Sequence, residues 1–99
     1  MRRGGLPFSG AGVARVEVYT TPMCPYCVAA KRLLEARGIP YTEFDVAQDD
    51  ALRADVMQRS GRQTVPQIFI DGRSIGGFDE LRGLDAAGEL ESLRAAPAS

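Results

Sequence analysis

Val16-Glu17-Val18-Tyr19-Thr20-Thr21-Pro22-Met23-Cys24-Pro25-Tyr26-Cys27 is the stretch on which the reading of this chain turns. Arg15 to Thr20 alternates, with Val16, Val18 and Thr20 on one side, and predicts a strand. Thr21-Pro22-Met23 makes the turn. A helix then starts near Cys24 and runs to Arg37. Ala30, Leu33 and Leu34 supply its apolar i, i+3, i+4 spacing, and Gly38 with Pro40 behind it ends it. Cys24 and Cys27 are the only cysteines among 99 residues, and the chain has no histidine and no tryptophan. A strand, two thiols three residues apart and a helix form the arrangement that dithiol redox chemistry requires.

The physics of a helix start separates the two thiols. With Cys24 as the N-cap or first residue, its sulfur lies beside unsatisfied backbone N–H groups and the positive end of the helix dipole. Both favour thiolate over thiol, so a nucleophile forms without a histidine base. Pro25 suits the first turn, where its missing N–H would have no intrahelical partner. Cys27 lies one turn on, on the same face, deeper and less acidic. It can close a disulfide with Cys24. The expectation is that Cys24 attacks and Cys27 resolves. A structural disulfide is the blander reading, and such bonds are rare in the cytosol. A zinc site needs four ligands, so two thiols could contribute only half of one shared by a dimer.

Downstream, Tyr41 to Val46 alternates and predicts a second strand. Asp49 or Asp50 can cap a second helix through Arg59, with Leu52, Val56 and Met57 inward and Gly61 at its end. Gln67-Ile68-Phe69-Ile70 reads as a strand, Asp71-Gly72 as a two-residue hairpin turn, and Arg73-Ser74-Ile75 as the returning strand. Gly76-Gly77 leads into a third helix, Phe78 to Ala87, and Glu89 to Arg94 into a short last one. Tyr19, Phe44, Phe69 and Ile75 read as core. The order is βαβ, then α, then ββα. It predicts an α/β, thioredoxin-like fold: a four-stranded mixed sheet flanked by helices on both faces. Residues 15–94 form the domain, between a glycine-rich tail, 1–14, and a short tail, 95–99.

Bulk properties exclude other classes. One domain of this length can bury a core unaided. A net charge of −1 and a pI near 5.3 argue against a nucleic-acid partner. No apolar run approaches the roughly 18 residues of a membrane span. The basic start, Met1-Arg2-Arg3, lacks the apolar region of a secretory signal. The expected compartment is the cytoplasm.

Cys24-Pro25-Tyr26-Cys27, Thr64-Val65-Pro66-Gln67-Ile68-Phe69-Ile70 and Gly76-Gly77-Phe78-Asp79-Glu80-Leu81, in this order and spacing, closely resemble a bacterial dithiol (class I) glutaredoxin. The likeness runs from about Arg15 to Leu93. It implies glutathione-dependent reduction of protein–glutathione mixed disulfides and protein disulfides, with no metal. It also implies a monomer whose partners are glutathione and glutathionylated or disulfide-bonded proteins. Val65-Pro66 resembles the family's cis-proline site, where the backbone of Val65 pairs with the cysteinyl part of glutathione. Backbone N–H groups of Phe78 and Asp79 would hold the γ-glutamyl carboxylate, with the Asp79 carboxylate near the ammonium. Asp79 could instead, or as well, cap its helix. Tyr26 would line the groove and Thr64 flank it. For the glycine end the family uses a lysine at the position of Thr21, a departure that leaves Arg53 on the second helix to hold that carboxylate. Arg62 and Gln63 border the groove, where solvation is the expected role. Two competing readings follow: a [2Fe–2S] carrier linked through glutathione as a dimer, and a redoxin coupled to thioredoxin reductase. Pro25-Tyr26 between the thiols and the Gly76–Asp79 motif argue against them respectively.

Overall fold

Alternation along two short strands decides where everything else packs. The chain, described here by a computed structural model over residues 15–94, has strands Val16–Thr20 (β1), Thr42–Asp45 (β2), Gln67–Ile70 (β3) and Arg73–Gly76 (β4). Its helices are Pro25–Ala36 (α1), Asp50–Ser60 (α2) and Phe78–Ala86 (α3). The two tails read from the sequence, 1–14 and 95–99, lie outside the described residues. The sheet order is β2-β1-β3-β4. β1 runs parallel to β2 and antiparallel to β3, and β3 pairs antiparallel with β4.

Side chains two apart on a strand share a face. Val16 and Val18 of β1 join Ile68 and Ile70 of β3 in one apolar cluster, with Ala30 and Leu34 of α1 and Leu81 of α3. Tyr19 and Phe69 point the other way, onto Val56 of α2 and Val46. Helices therefore cover both faces, as the element order predicts. Leu34, Ile68, Leu81 and Leu93 are wholly buried. Each contributes roughly 1.5–3 kcal/mol relative to exposure. Tyr19 stacks on Phe44 at 5.0 Å and meets Phe69 edge-on at 5.5 Å.

The hairpin turn is as expected: Asp71 and Gly72 have φ of 51° and 83°, the two positive values a type I′ turn needs. A register shift between Ile68 and Phe69 leaves Ile75 of β4 as the extra residue of a bulge. Two element assignments are corrected. The second strand stops at Asp45, whose side chain accepts from the Ala47 N–H at 2.8 Å and opens a 3-10 turn, Val46–Gln48. Val46 is thus buried from a turn rather than from a strand. The last helix shrinks to a 3-10 turn, Glu91–Leu93, which buries Leu93.

Candidate active site

Cys24 is the N-cap of α1, in extended conformation (φ −106°, ψ 110°), with Pro25 in the first turn. Its sulfur accepts from the Cys27 N–H at 3.2 Å, and its thiol lies 3.8 Å from the Val65 carbonyl. The amide points at the sulfur, the contact that a thiolate gains most from. Cys24 is half-buried, while Cys27 is only 1% exposed, and the two are not joined. Burial, reinforced by the hydrogen bond with the Cys24 side chain, pushes the Cys27 thiol from 9.0 up to about 12; a backbone hydrogen bond from Thr21 opposes it.

The folded chain thus holds this proton more tightly than the unfolded one. The resulting stability is complete below about pH 9 and is lost as pH rises towards 12. Tyr41 acts in the same sense, raised from 10.0 to about 12 by burial and by its bond to Glu35. In a Cys24→Ser variant the remaining thiol is expected to stay protonated through pH 9, as read by thiolate absorbance in the ultraviolet. A thiolate signal at neutral pH would contradict the burial argument.

Beside the thiols runs a groove of about 330 Å³. One wall is Thr64, Val65 and Pro66, joined through a cis Val65–Pro66 bond. The other is Gly77, Phe78 and Asp79, at the start of α3. The rings of Tyr26 and Phe78, 6.4 Å apart and tilted by 34°, face each other. Tyr26 is 63% exposed, and Phe78 also packs against the core.

Gly77 is the N-cap of α3 and has no side chain with which to cap it. Glu80 instead reaches back, its carboxylate accepting from the Gly77 N–H at 2.8 Å. The amides of Phe78 and Asp79, in the first helical turn, have no intrahelical acceptor. Asp79 does not cap the helix. Its carboxylate is exposed and lies 3.6 Å from Arg82. Glycine is required at Gly76, where φ is +110° and an added Cβ would come within 2.8 Å of the Glu80 side chain. A Cβ on Gly77 would lie 3.2 Å from the Pro66 carbonyl, so the two walls approach closely here.

Of the residues named from the sequence, Tyr26, Thr64, Val65, Pro66, Phe78 and Asp79 come together in the groove. Cys24 joins them through Val65. Thr21 and Arg53 do not line it: Thr21 is half-buried between β1 and α1, and Arg53 is exposed near the start of α2. Arg62 does line it. Two residues escaped the sequence reading. Glu80 was legible as the last member of Gly77-x-x-Glu80, the spacing of a capping box. Gln67, wholly buried, donates from Nε2 to the Thr64 carbonyl at 2.9 Å and braces that wall from behind. A polar residue opening an otherwise apolar strand was the available signal.

Two thiols one helical turn apart at the mouth of a groove, one half-buried and accepting an amide hydrogen bond and the other buried, can do what a lone thiol cannot: between them they can open a disulfide and close one of their own. That is the chemistry of dithiol oxidoreductases on the thioredoxin-like fold, the class in which fold and site place the chain. The sequence profile of the glutaredoxin family matches residues 16–75, and the chain belongs to that family of thiol–disulfide oxidoreductases. It is 49% identical to glutaredoxin 3 of Escherichia coli K12 over 82% of its own length and 98% of the relative's. With a glutaredoxin of Pseudomonas aeruginosa it shares 42% identity, over 82% and 96%. Among solved structures it resembles Brucella melitensis glutaredoxin (TM-score 0.75, 45% identity, 87% and 92% covered). It also resembles a buckwheat glutaredoxin–glutathione complex (TM-score 0.75, 31% identity, 81% and 76% covered).

Proposed function

We propose that the chain is a glutathione-dependent thiol–disulfide oxidoreductase that reduces protein–glutathione mixed disulfides and protein disulfides, with Cys24 as nucleophile and Cys27 as resolving thiol. The observation that carries this reading is the unequal thiol pair, with the amide-capped sulfur of Cys24 set against a groove whose far wall is a helix N-terminus. The Cys24 thiolate attacks the glutathionyl sulfur of a mixed disulfide. The S–S bond breaks, and the target protein leaves as a thiolate that takes up a proton. A second glutathione thiolate then attacks the enzyme-bound glutathionyl sulfur, giving oxidised glutathione and free Cys24. On a protein disulfide, Cys24 attacks one sulfur, the target S–S bond breaks, and the other target sulfur leaves as a thiolate that takes up a proton, so that Cys24 is held in a mixed disulfide with the target. Cys27 gives its proton to the departing target thiolate and closes the Cys24–Cys27 bond, which two glutathione molecules then reduce.

The groove suits a peptide with a carboxylate and an ammonium at one end. The amides of Phe78 and Asp79 offer an anion site at the helix start, and the exposed Asp79 carboxylate offers a partner for the ammonium. The Val65 backbone and Thr64 supply polar contacts for the middle of the ligand, and Tyr26 an aromatic surface. For the glycine end the resemblance leaves Arg53, with Thr21 standing where the family has a lysine; both lie outside the groove lining. The same reading takes the protein as a cytoplasmic monomer acting on glutathionylated or disulfide-bonded proteins, without nucleic-acid or membrane partners. Among the described residues no helix is long and apolar enough to cross a membrane.

Reduction of a small glutathione mixed disulfide, coupled to glutathione reductase, tests the proposal. The wild type is expected to turn over and to saturate with the mixed disulfide. Inactivity there, with reduction of a protein disulfide by thioredoxin reductase and this chain, would replace glutathione with a flavoprotein as the electron source.

A further inference from the structure

The two walls of the groove are carried by separate parts of the chain. Thr64–Pro66 follows α2 and leads into β3, whereas Gly77–Asp79 follows β4 and opens α3. The sheet brings them together at Pro66 and Gly77 through two paired four-residue strands, with a bulge at Ile75. Among the described residues one side-chain hydrogen-bonded link joins them directly. Arg62, just before the first wall, donates from Nη1 to Glu80 Oε1 at 3.1 Å and from Nη2 to Oε2 at 3.2 Å. The same Oε1 accepts from the Gly77 N–H at 2.8 Å, in the second wall. The fold leaves room for this link, because a side chain on Gly76 would strike Glu80. The carboxyl of Glu80 is held below its usual range by Arg62 first and then by the Gly77 N–H, so both contacts favour the ionised form.

We infer that Glu80, held by Arg62, is a positioning residue for the glutathione site, setting the first turn of α3 at a fixed distance from the Thr64–Pro66 wall. The inference rests on the glutathione reading above. A ligand gripped by backbone groups on both walls needs their spacing held within about 0.5 Å. Glu80 does this by fixing the Gly77 N–H, which orients the adjacent amides of Phe78 and Asp79. Arg62 does it by anchoring Glu80 to the opposite wall. Neither residue is asked to touch the ligand or the reacting sulfurs. The bland alternative is an exposed ion pair, which contributes little by itself.

The experiment compares the wild type with Arg62→Met, Glu80→Gln and the double variant. KM and kcat are measured with a glutathionylated peptide, and the rate of Cys24 alkylation by iodoacetamide is measured alongside. Each single variant is expected to raise KM roughly 3- to 30-fold. kcat at saturation and the alkylation rate should stay within about twofold, because the Cys24 N-cap is untouched. The double variant should be no worse than the more affected single, since both break one link. Arg62→Met leaves the Glu80–Gly77 cap in place, so it isolates the cross-groove bond even if a Glu80 variant folds poorly. Unchanged KM in both singles would reduce the pair to surface decoration and overturn the proposal. Additive losses would overturn it too, because Arg62 would then act on the ligand independently of Glu80. A wild type that does not saturate with the glutathionylated peptide defeats the glutathione reading itself, and the positioning role falls with it.

Discussion

Cys24→Ser is expected to lose all disulfide reduction, with either a glutathione mixed disulfide or a protein disulfide. Turnover should fall by roughly three orders of magnitude or more, to the background of uncatalysed exchange. The chain holds one other thiol, and it cannot substitute. Cys27 is 1% exposed, and burial pushes its thiol up to about 12, so at neutral pH almost none of it is thiolate. With no histidine in the sequence, there is no imidazole to deprotonate a serine hydroxyl at this position. The fold should be unaffected, because serine is among the preferred N-cap residues and can accept the Cys27 N–H that now points at sulfur. The coupled glutathione reductase assay measures the loss, and circular dichroism checks the fold. Turnover by Cys24→Ser within tenfold of wild type would move the nucleophile elsewhere.

Cys27→Ser is expected to separate the two activities. In the proposed cycle, reduction of a small glutathione mixed disulfide uses only Cys24 and a second glutathione, so it should stay within about threefold of wild type. Reduction of a protein disulfide should fall on the order of 100-fold or more, because the bound protein is no longer released by a thiol held one turn away. Such pre-placed groups act at effective concentrations far above those of any free thiol. The buried site receives a hydroxyl where a thiol sat, at a cost of about 1–3 kcal/mol if it finds no partner. A thermal melt separates that cost from the kinetic effect. Equal loss of both activities, in a folded variant, would make Cys27 part of the mixed-disulfide cycle.

Much of the fold was legible because its signals are local. The β1 alternation, Pro25 at the helix start, the Asp49 cap of α2, with its carboxylate accepting from the Leu52 N–H at 2.9 Å, and the Asp71-Gly72 turn all act within a few residues. Val46 and the segment 89–94 were misread for the same reason. Each is short, and each is buried by contacts distant in sequence, so its apolar residues looked like the continuation of a strand or helix. The groove shows the same division. Cys24 and Cys27 announce themselves by spacing, and the Val65-Pro66 and Gly76-Gly77 motifs mark its walls. Arg62 and Glu80 lie eighteen positions apart; the capping-box spacing marks Glu80 as a partner of Gly77, but nothing local points to Arg62 or to the bond between the two.

The sequence alone determined the order of elements, the two-sided sheet and the asymmetry of the thiols. Those depend on strand period, helix capping and the position of each cysteine in its first turn. Tertiary structure alone decided how unequal the thiols are, since the depth at which Cys27 lies depends on the elements packed around α1. It alone closed the groove, left Thr21 and Arg53 outside its lining and brought Arg62 across to Glu80. Those are distances between segments far apart along the chain, and they are set by how the sheet and its two helical layers pack.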